Sequence, residues 1–213
     1  MSLGAFAALG AGVEAIDKTG KAIAALEKIM GWILVQPEAA AAELASVIAE
    51  VMKAPQVVNK AVDALFSVID TAKPQLAILG QVGDGSLLRE VEDKRPHCHQ
   101  IWKIADRHLW QWLARPGVDG PDAQELRDVL ATLGDADEAF FRELTAFAGA
   151  IQDVANAAAQ LAMHHQQSEA LALMTRVAPQ LFAARKRANA LALQLTSMQT
   201  KFRRRALGLP PEE

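Results

Sequence analysis

Between Leu44 and Leu79 the apolar residues recur at alternating steps of four and three: Leu44, Ile48, Val51, Pro55, Val58, Val62, Leu65, Ile69, Ala72, Leu76 and Leu79. Steps of four and three line up on one stripe of an α-helix, whereas on a strand they would fall on both faces. The spacing therefore predicts a helix from about 38 to 79. The phase is unbroken at Pro55, so a single helix bent at that proline is expected. Val51 and Val58 should then both face a core.

The rest of the chain repeats the pattern. Val13, Ile16, Ile23, Leu26, Met30 and Ile33 mark a first helix over about 3–35, closed by Gln36-Pro37. The glycines of GQVGDG, 80–85, read as a loop. A third helix follows over 86–114, interrupted near Pro96. PGVDGP, 116–121, is the clearest break. A short helix over 122–133, closed by Gly134, comes next, with Asp135 or Asp137 capping its successor. The fourth long helix carries Phe140, Leu144, Phe147, Ile151, Val154, Ala158, Leu161 and His165. The last carries Leu173, Val177, Leu181, Ala184, Ala188, Leu191, Leu195, Met198 and Phe202. The phase slips in HHQQS, 164–168, which places a hairpin there with Ser168 as N-cap. One uninterrupted helix of about 70 residues would be about 105 Å long.

These elements define an all-α fold: an elongated antiparallel bundle of five long helices plus one short helix, in a single domain over 1–213. A sub-boundary at the Gly-rich loop 80–85 is the alternative. Composition agrees. Ala and Leu dominate the apolar share, Tyr is absent, and aromatic residues make up 5% of the chain. Strands favour β-branched and aromatic residues instead.

Charge is unevenly spread. Residues 1–80 carry 8 acids and 6 lysines, 81–169 carry 15 acids and 8 bases, and 170–213 carry 2 acids and 8 bases, for nets of −2, −7 and +6. The basic tail holds Arg185-Lys186-Arg187 and Arg203-Arg204-Arg205. Such runs suit nucleic acid or an anionic membrane. They equally suit an acidic neighbour across the hairpin, and that reading is preferred because no aromatic residues interleave for base stacking. Arg185 and Arg187 should face solvent or acids. Arg203, Arg204 and Arg205, past the end of the partner helix, should stay free. No appreciable duplex binding is expected at physiological salt.

Candidate chemistry is sparse. His97-Cys98-His99 draws attention as a metal site, but adjacent helical residues diverge by about 100°. His97 and His108 share a stripe with Ile101 and Ile104 yet lie about 16 Å apart along the axis, too far for one ion. Cys98, Ala105, Leu109 and Trp112 are expected to form a buried stripe, with Trp102 also in the core. Trp110 lies off that stripe and is the candidate for a surface contact. The acidic clusters near helix starts suit the helix dipole. No Glu-x-x-His pair, P-loop or haem-attachment motif occurs.

The sequence therefore names no catalytic, cofactor or metal residue. The expected role is a non-catalytic scaffold, adaptor or regulatory module that binds another protein or itself, with Trp110, Arg203, Arg204 and Arg205 as the possible interaction surface. Two rivals stand beside it. One is a membrane-associating bundle using the uncharged 1–13 segment and the basic C-terminus. The other is a ligand or metal carrier using the His/Trp region. One cysteine, no run long enough to span a bilayer and no basic leader make a soluble cytoplasmic protein the expectation.

Overall fold

A computed structural model describes residues 37–209 apart from 115–120, and every regular element among the described residues is an α-helix. In chain order these are α1 Pro37–Val51, α2 Lys53–Asp70, α3 Leu76–Gly83, α4 Ser86–Glu92, α5 Arg95–Leu113, α6 Pro121–Met163 and α7 Gln167–Ala206. The expected helix over 3–35 and the break at 116–120 lie outside the described residues. So do the side chains of Cys98, Leu109, Trp112, Phe140, Arg187 and Leu191.

The described chain gathers into two compact units. The first contains Ala54–Asp93 and Phe141–Ala190. The second contains 37–53, 94–114, 121–140 and 191–209. The core of the first unit is built from Val58, Val62, Leu65 and Val68 of α2, Phe147, Ile151 and Val154 of α6, and Val177, Leu181 and Ala184 of α7. That of the second uses Leu44, Ile48 and Val51 of α1, Ile101, Ile104 and Ala105 of α5, and Leu195, Met198 and Phe202 of α7. The four-three stripes read from the sequence supply nearly all of these.

The single helix expected to bend at Pro55 is instead divided at Met52, three residues before the proline, and the chain is helical on both sides. Met52 alone separates α1 from α2, and its N–H still donates to the Ile48 carbonyl at 2.9 Å. Val51 and Val58 are both buried. Because α2 starts at Lys53, Pro55 stands in its first turn. There the N–H it lacks would have had no intrahelical partner.

Three further expectations are corrected. The helix does not continue to Leu79 but ends at Asp70, and a short helix starts only at Leu76. Pro74 removes an N–H and pushes Lys73 away from the α region, which a helix interior does not accommodate. Ala72 takes a left-handed φ of 49°, its N–H donating to the Ile69 carbonyl at 3.0 Å. The loop at 80–85 shrinks to Asp84-Gly85, because Gly80 and Gly83 belong to α3. Asp84 Oδ1 accepts the Ser86 N–H at 2.8 Å, starting α4, and this bond holds the Asp84 carboxyl below its ordinary pKa. Finally, Gly134 ends nothing: α6 runs through it as one helix of 43 residues. An interior glycine costs a helix only about 1 kcal/mol, too little to stop one with long flanks.

A prediction follows from Ala72. It is exposed, so Ala72→Gly forfeits no packing. Relief of the left-handed strain, about 1–2 kcal/mol, outweighs the added freedom of the unfolded chain, about 0.4–1 kcal/mol. A higher urea midpoint is expected, and an unchanged or lower one would show that Ala72 carries no strain.

The hairpin between α6 and α7 forms as expected, with one revised cap. The Gln166 N–H donates to the Leu161 carbonyl at 2.9 Å and the His165 N–H to Ala162 at 3.2 Å, with His165 at φ 64°. This paired pattern, with a left-handed residue between helix and exit, closes the last turn of α6. Ser168 is not the N-cap: α7 already includes Gln167, and the Ser168 hydroxyl donates to Glu169 Oε2 at 3.1 Å. Gly208 closes α7 in the same way.

Candidate functional site

The second unit holds all four residues singled out as a possible interaction surface. Helix α5 lies along α1. A hydrogen-bonded ion pair between Arg107 Nη2 and Glu43 Oε2, at 2.6 Å, ties them together. Lys94, near the start of α5, also reaches Glu50 of α1 at 3.9 Å. The inner face of α5 carries Ile101, Ile104, Ala105 and His108, which recur at helical spacing and are all buried.

Its outer face is unusual. Trp110 is 58% exposed. Its indole Nε1 donates to Asp106 Oδ1 at 3.1 Å, one turn back, which fixes the ring on the surface. Trp102, expected in the core, is only half-buried and stacks on exposed His99 with ring centroids 5.5 Å apart and planes at 17°. The reason is angular: residues 99, 102, 106 and 110 fall on the side of the helix opposite Ile101 and Ile104. Between this aromatic stripe and α1 runs a groove of about 400 Å³ lined by Glu43, Val47, Gln100, Lys103, Ile104 and Arg107.

His108 is 7% exposed, and its Nδ1 has no hydrogen-bond partner. Burial lowers its pKa, Arg107 lowers it further, and Glu43 and Gln111 oppose the shift. In the unfolded chain the ring titrates near the ordinary 6.5. As pH falls through that value the unfolded state takes up a proton that the native state refuses. Stability is thus fully present above the unfolded pKa, falls as pH drops, and levels off below the native pKa. Urea midpoints measured at neutral and mildly acidic pH should fall less for His108→Leu than for the parent. Equal falls would mean that His108 does not contribute.

The basic tail is less free than its sequence suggests. Arg203 is exposed, but Arg204 and Arg205 are half-buried and each is engaged by another group of the protein. The expectation that all three stay free is therefore corrected. The partner helix also begins at Pro121, earlier than read from sequence, so the tail does not outrun it by length. In the first unit Arg185 does meet an acid, though on α2: its Nε lies 3.1 Å from Asp63 Oδ1. Phe202 is buried on the apolar stripe as expected.

His97 Nδ1 lies 3.3 Å from Gln100 Oε1 and is one turn from the buried face, apart from exposed His99. Among the described residues no group of three His, Cys, Asp or Glu side chains could hold a metal ion. No described helix is long and apolar enough to cross a membrane. A second groove, about 460 Å³, lies at the hairpin end of the first unit, with Leu161 and Leu173 on its floor and His164, Glu169 and Arg176 on its rim.

The groove between α1 and α5 had no signal in the sequence, because its sides come from residues about sixty positions apart. The burial of His108 did have one: it shares the stripe of Ile101 and Ile104. Comparison with known protein families, with curated proteins and with solved structures finds no match to this chain.

Proposed function

We propose that this protein is a non-catalytic helical interaction module, binding another protein or a second copy of itself through the outer face of α5. It would work in the cytoplasm, where Cys98 stays reduced. One observation carries the reading. Trp110 is largely exposed yet held in place by its bond to Asp106. A tryptophan fixed on the surface has little freedom left to lose on binding and much apolar area to bury, which is the chemistry of an interface anchor.

Trp110→Ala tests this. Folding stability should change by less than about 0.5 kcal/mol, as for other surface substitutions. Association should weaken by about 2 kcal/mol, roughly thirtyfold, as for an interface anchor. Association is read by sedimentation velocity across a concentration series for self-binding. For a second protein it is read by photo-crosslinking from position 99 in cells, followed by titration of the recovered partner. Association unaffected by Trp110→Ala would sink the proposal. Tight duplex binding at physiological salt would favour the basic tail instead.

A further inference from the structure

The proposed function leaves open whether α5 meets another protein or a second copy of the chain. The order of residues along its outer seam favours the second copy. His99, Lys103, Asp106 and Trp110 recur at steps of four, three and four. That sets them on one line along the outside of the helix, about 16 Å from end to end. His99, Lys103 and Trp110 are exposed, and Asp106 is half-buried. Steps of four and three are the spacing by which one helix packs along another.

The seam carries opposite charges one turn apart, at Lys103 and Asp106. Asp106 Oδ1 accepts the Trp110 Nε1–H at 3.1 Å, yet the carboxylate stays an anion with lone pairs for further donors. Arg107, beside the seam, is committed to Glu43 at 2.6 Å. The seam is also its own complement. Lys103 and Asp106 lie equally far on either side of the midpoint between Ile104 and Ala105, and so do His99 and Trp110. Reversing the helix about that midpoint brings Lys103 against Asp106 and Trp110 against His99, at both ends at once. This is the condition a two-fold interface imposes, that if one residue meets a second, the second meets the first.

We propose that two copies of this protein pair through α5, antiparallel and centred between Ile104 and Ala105. Lys103 of each copy meets the partner's Asp106, and Trp110 packs on the partner's His99. Within each chain that imidazole is stacked on Trp102, with ring centroids 5.5 Å apart, so the indole meets an aromatic platform. The inference rests on the function proposed above and names the partner. Parallel helices would set lysine against lysine and aspartate against aspartate, which like charge disfavours. A slip of one turn in the antiparallel pair also sets like charges opposite each other, so charge fixes register as well as direction. Four layers of side chains cover less than the roughly 1,200 Å² of a standard stable interface, so the pairing is reversible and depends on concentration.

Sedimentation velocity of the full chain, over a series reaching about 1 mM, reads the pairing. Lys103→Asp leaves both seam charges negative, and Asp106→Lys leaves both positive. Each variant alone should dimerise about tenfold or more weakly than the parent. Mixed in equal amounts the two variants are complementary at both ion pairs. The mixture should then associate about tenfold or more tightly than either alone, though short of the parent, because Asp106→Lys also releases the Trp110 indole. Circular dichroism verifies that both variants fold, as expected for positions on the outside of the helix. A parent dimer indifferent to both substitutions, or a mixture no tighter than its components, would overturn the pairing. So would a chain that stays monomeric throughout the series. In that case Trp110-dependent crosslinking of another protein from position 99 would leave the interaction module standing with a different partner, and no crosslinking would overturn both readings.

Discussion

Leu65→Ala is expected to cost about 2–5 kcal/mol of stability, the range for truncating a buried leucine. Leu65 is 0% exposed and sits mid-way along α2, between Val62 and Val68, both also fully buried. Removing its branched end loses the transfer energy of the missing carbons and leaves a cavity. Small neighbours such as Ala61 offer no side chain long enough to swing into the gap. Leu65→Met, which keeps the volume, should cost less than about 1.5 kcal/mol. Urea unfolding of the two variants separates cavity formation from a mere change of shape. A loss below about 0.5 kcal/mol for the alanine variant would mean that this stripe is not core.

Gly83→Val should be the next most damaging change, at about 1–3 kcal/mol, the usual cost of overpacking. Gly83 is buried in α3 against α6. A Cβ built there would fall 2.9 Å from the Asn156 side-chain carbon, and closer still to its amide oxygen. The gain in helix propensity from replacing glycine by valine, a few tenths of a kcal/mol, does not offset that clash. The test is a double-mutant cycle. Asn156→Ala in the same chain should recover most of the loss, because the obstacle is that side chain rather than the backbone, whose nearest atom is 3.5 Å away. Additive losses would place the damage elsewhere.

Gly83 also shows where sequence reading ran short. Three glycines in six residues suggest a loop, and a loop was expected. Only Gly85, with φ 83°, serves the turn. Gly83 leaves room for the Asn156 side chain, which fills the space a Cβ would take, and nothing local records the approach of Asn156 from more than seventy positions away. The stripe through α2 failed for a different reason. Ala72, Leu76 and Leu79 keep the four-three count across a five-residue connector, so the phase survives where the helix does not. Ala72 and Leu76 are exposed while Leu79 is buried. Pro74 lies in the connector that ends the helix. Pro55 is tolerated in a first turn, whereas Pro74 would have stood inside a continuing helix.

The interaction surface was half legible. Angular position alone put Trp110 off the buried stripe, and it is exposed. Trp102 reads as core only as bulk to fill a bundle of small residues, whereas its angle from Ile101 and Ile104 places it on the outer side, where it is half-buried. Arg203, Arg204 and Arg205 read as an unencumbered basic run, yet two of them are engaged by neighbours. Which charges pair across a bundle depends on register between distant helices, and periodicity within one helix does not carry that information.

The three-residue turn at 164–166 bears on the order in which the first unit assembles. Leu161 and Leu173, facing each other across the hairpin groove, are twelve positions apart, so little chain must be ordered before they meet. Asn59 donates to Asn189 at 2.7 Å across 130 positions, and Asp63 meets Arg185 from nearly as far. Loop-closure entropy rises with the length of chain enclosed, and folding slows as contacts become more distant. The α6–α7 hairpin should thus be in place when α2 arrives. A perturbation within the hairpin would then slow folding, and one confined to the α2 contacts would chiefly hasten unfolding.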